Sequence, residues 1–116
     1  MEIKRSGTKQ RMSAVNEFNG VLYFAGKVAP DTNASAADQT RQILDALETL
    51  LSAHGSDKNH ILSALIHLHD FADFDAMNSV WDNWIDQGSA PARTCVGGVT
   101  MNGDPLVEIT ITAARK

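Results

Sequence analysis

Thiol chemistry is almost missing from this chain. Cys95 is its only cysteine in 116 residues, which rules out an intrachain disulfide and a zinc site built on thiolates. No apolar run approaches the ~20 residues that a membrane helix needs. Nothing at the start joins a basic segment to an apolar stretch of signal-peptide length, so a cytoplasmic protein with no membrane partner is expected. Positive charge is scarce as well: ten Lys and Arg face fourteen Asp and Glu, a formal charge of −4. Without a basic stripe interleaved with aromatics, nucleic acid is not an expected partner. Lys4, Arg5, Lys9 and Arg11 make the start mildly basic, which reads as a solvated sheet edge.

What is present fits a globular domain. Hydrophobic residues make up 43% and charged residues 21% of the chain, and the length suits a single domain over 1–116 with its own core. Segments 2–7 and 11–18 read as short strands. Asn19-Gly20, ahead of Val21-Leu22-Tyr23-Phe24-Ala25, is the signature of a type I′ hairpin turn. Gly26 interrupts that run, marking a bulge or a close approach to the backbone. After a loop at 29–34, Ser35 with Asp38 signals a helix start. Ile43, Leu44, Leu47, Leu50 and Leu51 then recur at helical spacing as far as Gly55. This predicts a helix of about five turns, with Gln39, Arg41, Gln42, Asp45 and Glu48 on its solvated face.

Over 60–69 the period shortens to two, as in a strand covered on both sides. Leu62, Ala64, Ile66 and Leu68 share one side, and Ile61, Ser63, Leu65, His67 and His69 the other. Asp73 is expected to cap a second helix, with an apolar stripe of Phe74, Met77, Val80, Trp81, Trp84 and Ile85 ended by Gly88. Two last strands follow, and the turn residues Asn102-Gly103-Asp104-Pro105 are expected to join them as a terminal hairpin. The order βββαβαββ predicts an α+β fold, a mixed sheet with both helices on one face if the crossovers are right-handed. The other face would be bare yet carry Ile61, Leu65, Cys95 and Val99, so it is expected to pack on further copies of the chain. Half-polar surfaces between subunits suit ligand clefts, and Glu108, Thr110 and Thr112 would lie on one.

The candidate site is Pro91-Ala92-Arg93-Thr94-Cys95-Val96. A guanidinium at the mouth of a strand suits a carboxylate, which it grips as a rigid fork. Strand period puts Cys95 on the same side as Arg93, and Glu108 stands out on the last strand. Together they point to a small carboxylate-bearing metabolite, with Arg93 as its anchor and Glu108 as a general base. From the residues alone, Arg93 can equally be a structural partner of Glu108. Cys95 can be a nucleophile or a small buried filler. His67-x-His69 has metal-ligand spacing, but its third ligand would be Asp70 only if the chain turned back, so no metal is expected.

Several stretches resemble the Rid family (RidA/YjgF, reactive intermediate deaminases). They are Gly26 after a β-run, Gln39-Thr40-Arg41-Gln42, Met77-Asn78-Ser79-Val80, Pro91-Ala92-Arg93-Thr94-Cys95-Val96 and Val107-Glu108-Ile109. The resemblance implies a chorismate-mutase-like fold assembled as a homotrimeric barrel, with ligand clefts between subunits. It implies hydrolysis of 2-imino and 2-enamino acids to 2-oxo acids and ammonia, with no cofactor. The family's carboxylate-binding arginine falls on Arg93, its site cysteine and glutamate on Cys95 and Glu108, and its pocket asparagine on Asn78. Gly26, Ala25 and Met12 fall at further substrate-binding positions. Ala25 stands where deaminating members have serine, and Met12 lies nearest their tyrosine. Arg11-Met12-Ser13 is more similar to a YoaB-like subgroup, which makes a non-deaminating carboxylate-binding module the alternative.

Overall fold

The apolar stripe at 43–51 produces α1 (Ala36–Ala53) in the computed structural model, which describes residues 2–116. The Ser35 hydroxyl accepts a hydrogen bond from the Asp38 amide at 3.2 Å and so starts the helix. Gly55, at φ +74°, takes the left-handed turn that lets the chain leave it. Ile43, Leu44, Leu47 and Leu51 are buried against the sheet, each contributing about 2 kcal/mol. Gln39 overturns the expectation of a solvated side chain, being fully buried. Its amide donates to the carbonyls of Thr32 (3.2 Å) and Ala34 (3.0 Å) and accepts from the Leu106 amide (2.9 Å). It serves backbone groups that no helix or strand satisfies, which is why a polar residue sits inside.

The strands are β1 (Lys4–Ser6), β2 (Val15–Phe18), β3 (Val21–Phe24), β4 (Lys27–Val28), β5 (Ile61–Leu68), β6 (Ala92–Val96) and β7 (Val107–Ala114). They form one mixed sheet in the order β1-β2-β3-β7-β5-β6, with β4 also paired to β7. α2 (Phe74–Trp84) links β5 to its parallel neighbour β6, and it packs with α1 on one face of the sheet. The expected α+β architecture is present, with the short β4 added because the chain resumes pairing after Gly26. Asn19 and Gly20 both have positive φ, as the hairpin turn requires. No helix is long and apolar enough to cross a membrane among the described residues.

Four local expectations are corrected. The last two strands are not a hairpin: β5 lies between β6 and β7, so the Asn102–Pro105 turn carries the chain past a strand already in place. A register shift between Ile61 and Ser63 reverses the start of β5, burying Ile61 and leaving Leu62 half exposed. Asp73 makes no capping bond to α2. Asp70 takes that part instead, accepting from the Ala72 amide at 2.9 Å to hold a short 3-10 turn ahead of the helix. Cys95 is not on the bare face but packs against the core under the helices. The bare face carries Leu65, Val96 and Tyr23, all exposed.

Candidate functional site

The candidate residues fall in two clusters on opposite faces of the sheet. The first forms at β6, the sheet edge. Parallel pairing puts Arg93 beside Ala64 and Cys95 beside Ile66, and both β5 residues are buried under the helices. Arg93 and Cys95 thus share a face, as strand period requires, but it is the helical one. The guanidinium carbon of Arg93 lies 5.4 Å from the centre of the Trp81 ring and 6.0 Å from that of Phe74. Arg93 Nη1 donates to Asn78 Oδ1 at 2.7 Å. Phe74, Asn78 and Trp81 recur at i, i+4 and i+7, one face of α2. This packing orients the guanidinium with one of its five N–H donors engaged. Among the described residues no carboxylate comes within ion-pairing distance of it, so the structural pair with Glu108 is not made.

Cys95 is half-buried. Burial pushes its thiol above the ordinary range, and the positive charge of Arg93 only partly opposes this. A protonated thiol packed against the core is a poor nucleophile.

The second cluster is on the open face. Glu108 pairs in register with His67 on β5 and with Val28 on β4. His67 Nδ1 lies 3.6 Å from Glu108 Oε1, is buried and has no hydrogen-bond partner. Gly26 lies on the other side of the carboxylate. A β-carbon there would come within 2.8 Å of Glu108 Cδ and 3.0 Å of Thr110 Oγ1. Ala25, next to it, is held by a 2.9 Å bond from its amide to the Ala14 carbonyl. A shallow concavity of about 490 Å³ runs along β5, β6 and β7 past Leu65, Thr94, Thr110 and Thr112; Arg93 also lines it, and Glu108, His67 and Gly26 do not. Met12 is exposed on the β1–β2 loop, lining a separate concavity of about 400 Å³ with Arg5, Lys9, Arg11 and Ser13. His69 lies exposed just past the end of β5. No three His, Cys, Asp or Glu side chains among the described residues converge as metal ligands.

The structure therefore brings Arg93 together with Asn78, and Glu108 with Gly26, but keeps the two groups apart. Arg93 is in register with Ala64, Ala64 with Ile111, and Glu108 precedes Ile111 by three residues. Two strand spacings and three residues of rise put their backbones roughly 14 Å apart. A small metabolite cannot span that distance, least of all through a sheet.

Residues 3–115 match the family model described as Endoribonuclease L-PSP. The chain belongs to that family. The RutC family protein YoaB of Escherichia coli is 41% identical over 114 residues, covering 98% of this chain and 99% of that one. A RutC family protein of Haemophilus ducreyi is 38% identical over 112 residues, covering 97% and 96%. Among solved structures, NMB1025 of Neisseria meningitidis, a member of the YjgF protein family, superposes with a TM-score of 0.93 at 39% identity, covering 100% of this chain and 97% of that one. The Rid/YjgF resemblance is thereby confirmed, with a YoaB protein among the relatives.

Three contributors to the clusters were not expected from the sequence. Phe74 and Trp81 belong to an apolar stripe and read as core, yet they also carry the guanidinium. His67 read as half of an unused metal pair. Its partner becomes visible only when the β5–β7 register places Glu108 beside it.

Proposed function

We propose that this Rid-family protein hydrolyses small 2-imino and 2-enamino acids to 2-oxo acids and ammonia, in a cleft that a second copy of the chain completes. The observation that carries this reading is the Arg93 guanidinium, braced by Asn78, Trp81 and Phe74 and left without a carboxylate partner. A bidentate grip on a substrate carboxylate uses that free valence. Because Arg93 and Glu108 lie on opposite faces, the site draws one from each of two neighbouring copies. The exposed Tyr23, Leu65 and Val96 favour covering the open face, and a closed homotrimer gives three equivalent clefts.

The chemistry needs little machinery. Once protonated on nitrogen, the C=N carbon is electrophilic, and positioning supplies much of the acceleration. Glu108 takes a proton from water as the water oxygen bonds to the imine carbon, and the C=N electron pair moves to nitrogen. Glu108 then returns the proton to that nitrogen. The C–N bond breaks, ammonia leaves, and loss of the hydroxyl proton gives the 2-oxo acid. Glu108 suits this role through its placement between His67 and the space left by Gly26. An RNA substrate, which the family description suggests, fits the acidic balance of −4 poorly.

The test is to generate 2-iminopropionate from alanine with an amino-acid oxidase and trap it with semicarbazide. Added protein should shorten the imine lifetime, and Arg93→Ala should abolish the effect. No change with imines from several parent amino acids would remove the activity. The second reading is a carboxylate-binding module, favoured by Ala25 and Met12, which bring no hydroxyl to the site. It predicts Arg93-dependent binding of 2-oxobutyrate by calorimetry without turnover.

A further inference from the structure

His67, beside Glu108 on the open face, has no step of its own in the reading above. Its Nδ1 is buried with no hydrogen-bond partner, although buried polar atoms are nearly always satisfied. Glu108 Oε1 lies 3.6 Å from it, too long for a hydrogen bond. The other carboxylate oxygen, Oε2, is on the side of Gly26, where a β-carbon would lie 2.9 Å from it. The two oxygens of Glu108 thus have different surroundings: Oε1 faces an imidazole nitrogen, and Oε2 faces space kept clear by a glycine.

We infer that His67 is a positioning residue for Glu108: its Nδ1–H closes onto Oε1 and so turns Oε2 toward the cleft as the proton-accepting oxygen. The inference rests on the deaminase reading for its kinetic consequence, but the pairing itself stands on the geometry alone. Hydrogen bonds at catalytic groups are often long in unliganded proteins and tighten when substrate arrives. Nothing else charged competes for His67 across the ladders. β6 offers Val96 opposite it and β7 offers Glu108. On β4, Val28 is opposite Glu108, while Lys27 is in register with the buried Ile109. His69 follows on the same strand side but is exposed at the strand end. Fixing one carboxylate oxygen removes a rotation that would otherwise spread the base over unproductive orientations, and such misplacement costs on the order of a hundredfold in rate.

Two variants and one spectrum test this. Asn at 67 can place an amide N–H near the position of Nδ1, whereas Phe cannot. His67→Phe should lower kcat by on the order of a hundredfold with KM little changed, and His67→Asn should recover most of the loss. Separately, nitrogen-15 NMR of the imidazoles, with the His67 signals assigned by their absence in His67→Asn, should show a protonated Nδ1 whose shift moves in Glu108→Gln. His67 signals that are indifferent to Glu108→Gln would overturn the pairing whatever the protein catalyses. Equal kcat values for His67→Phe and wild type would overturn the positioning role. Wild-type protein that turns over no imine would defeat the deaminase reading instead, and the NMR comparison would still decide the pairing.

Discussion

Gly26 and Glu108 are so close that no side chain fits between them: a β-carbon on Gly26 would lie 2.8 Å from Glu108 Cδ and 2.9 Å from Oε2. The backbone at Gly26 does not have positive φ, so alanine is acceptable to the main chain there. The clash falls first on the carboxylate, with Thr110 Oγ1 next at 3.0 Å. Gly26→Ala should therefore fold with an unchanged far-ultraviolet spectrum and lose on the order of a hundredfold in kcat, because the base is pushed aside. Wild-type kcat in this variant would show that the position of Glu108 does not matter.

Gln39 predicts a stability loss. Leucine is of similar size but can make none of the three bonds to Thr32, Ala34 and Leu106. Buried backbone groups left without partners destabilise Gln39→Leu by about 3 kcal/mol. With a urea slope of about 2 kcal/mol/M, the midpoint should fall by about 1.5 M, compared at equal protein concentration. An unchanged midpoint would mean that water or a shifted loop satisfies those groups at no cost.

Cys95 predicts slow thiol chemistry. Burial raises its pKa above the ordinary 9.0, so the thiolate is rarer at neutral pH than in a free cysteine. Iodoacetamide should alkylate it more slowly than glutathione at pH 8, and the rate should still be climbing above pH 9. Cys95→Ser should retain imine turnover. Fast labelling at neutral pH, or loss of turnover in the serine variant, would restore Cys95 as a nucleophile.

Asp57 predicts an acid-side effect. The hydrogen bond with His60, then those from Lys116 and the Asn59 amide, hold its carboxyl below the ordinary 3.8. A carboxyl lowered by folding stabilises the folded state above its unfolded pKa, and that contribution fades as pH falls through the folded value. The melting-temperature gap between wild type and Asp57→Asn should hold steady near neutral pH and close as pH drops below 3.8. A gap that persists undiminished at about pH 2 would count against this linkage.

Much of the architecture was legible because it follows from periodicity. The α1 stripe, the turn at Asn19-Gly20 and the alternation from Ser63 to Leu68 are local patterns, and each formed where the spacing put it. The misses depend on partners distant in the chain. Gln39 is indistinguishable from a surface residue until the loops it bridges come together. The inversion at Ile61 and Leu62 reflects a pairing irregularity against β7 that no window on β5 contains. At the candidate site, period two correctly joined Arg93 to Cys95. Which face they share was set by the insertion of β5 between β6 and β7, and turn residues at 102–105 do not encode that. The same insertion separates Arg93 from Glu108.

β7 is the last strand in chain order, yet it is the one on which β3, β4 and β5 all assemble. A chain emerging from the ribosome can wind α1 and close the β2–β3 turn early. Its two halves nevertheless remain unjoined, with unpaired edges showing, until Val107–Ala114 has left the exit tunnel. Chaperone occupancy should therefore persist until β7 has emerged, and stalling just before Val107 should yield an aggregation-prone species rather than a smaller folded one.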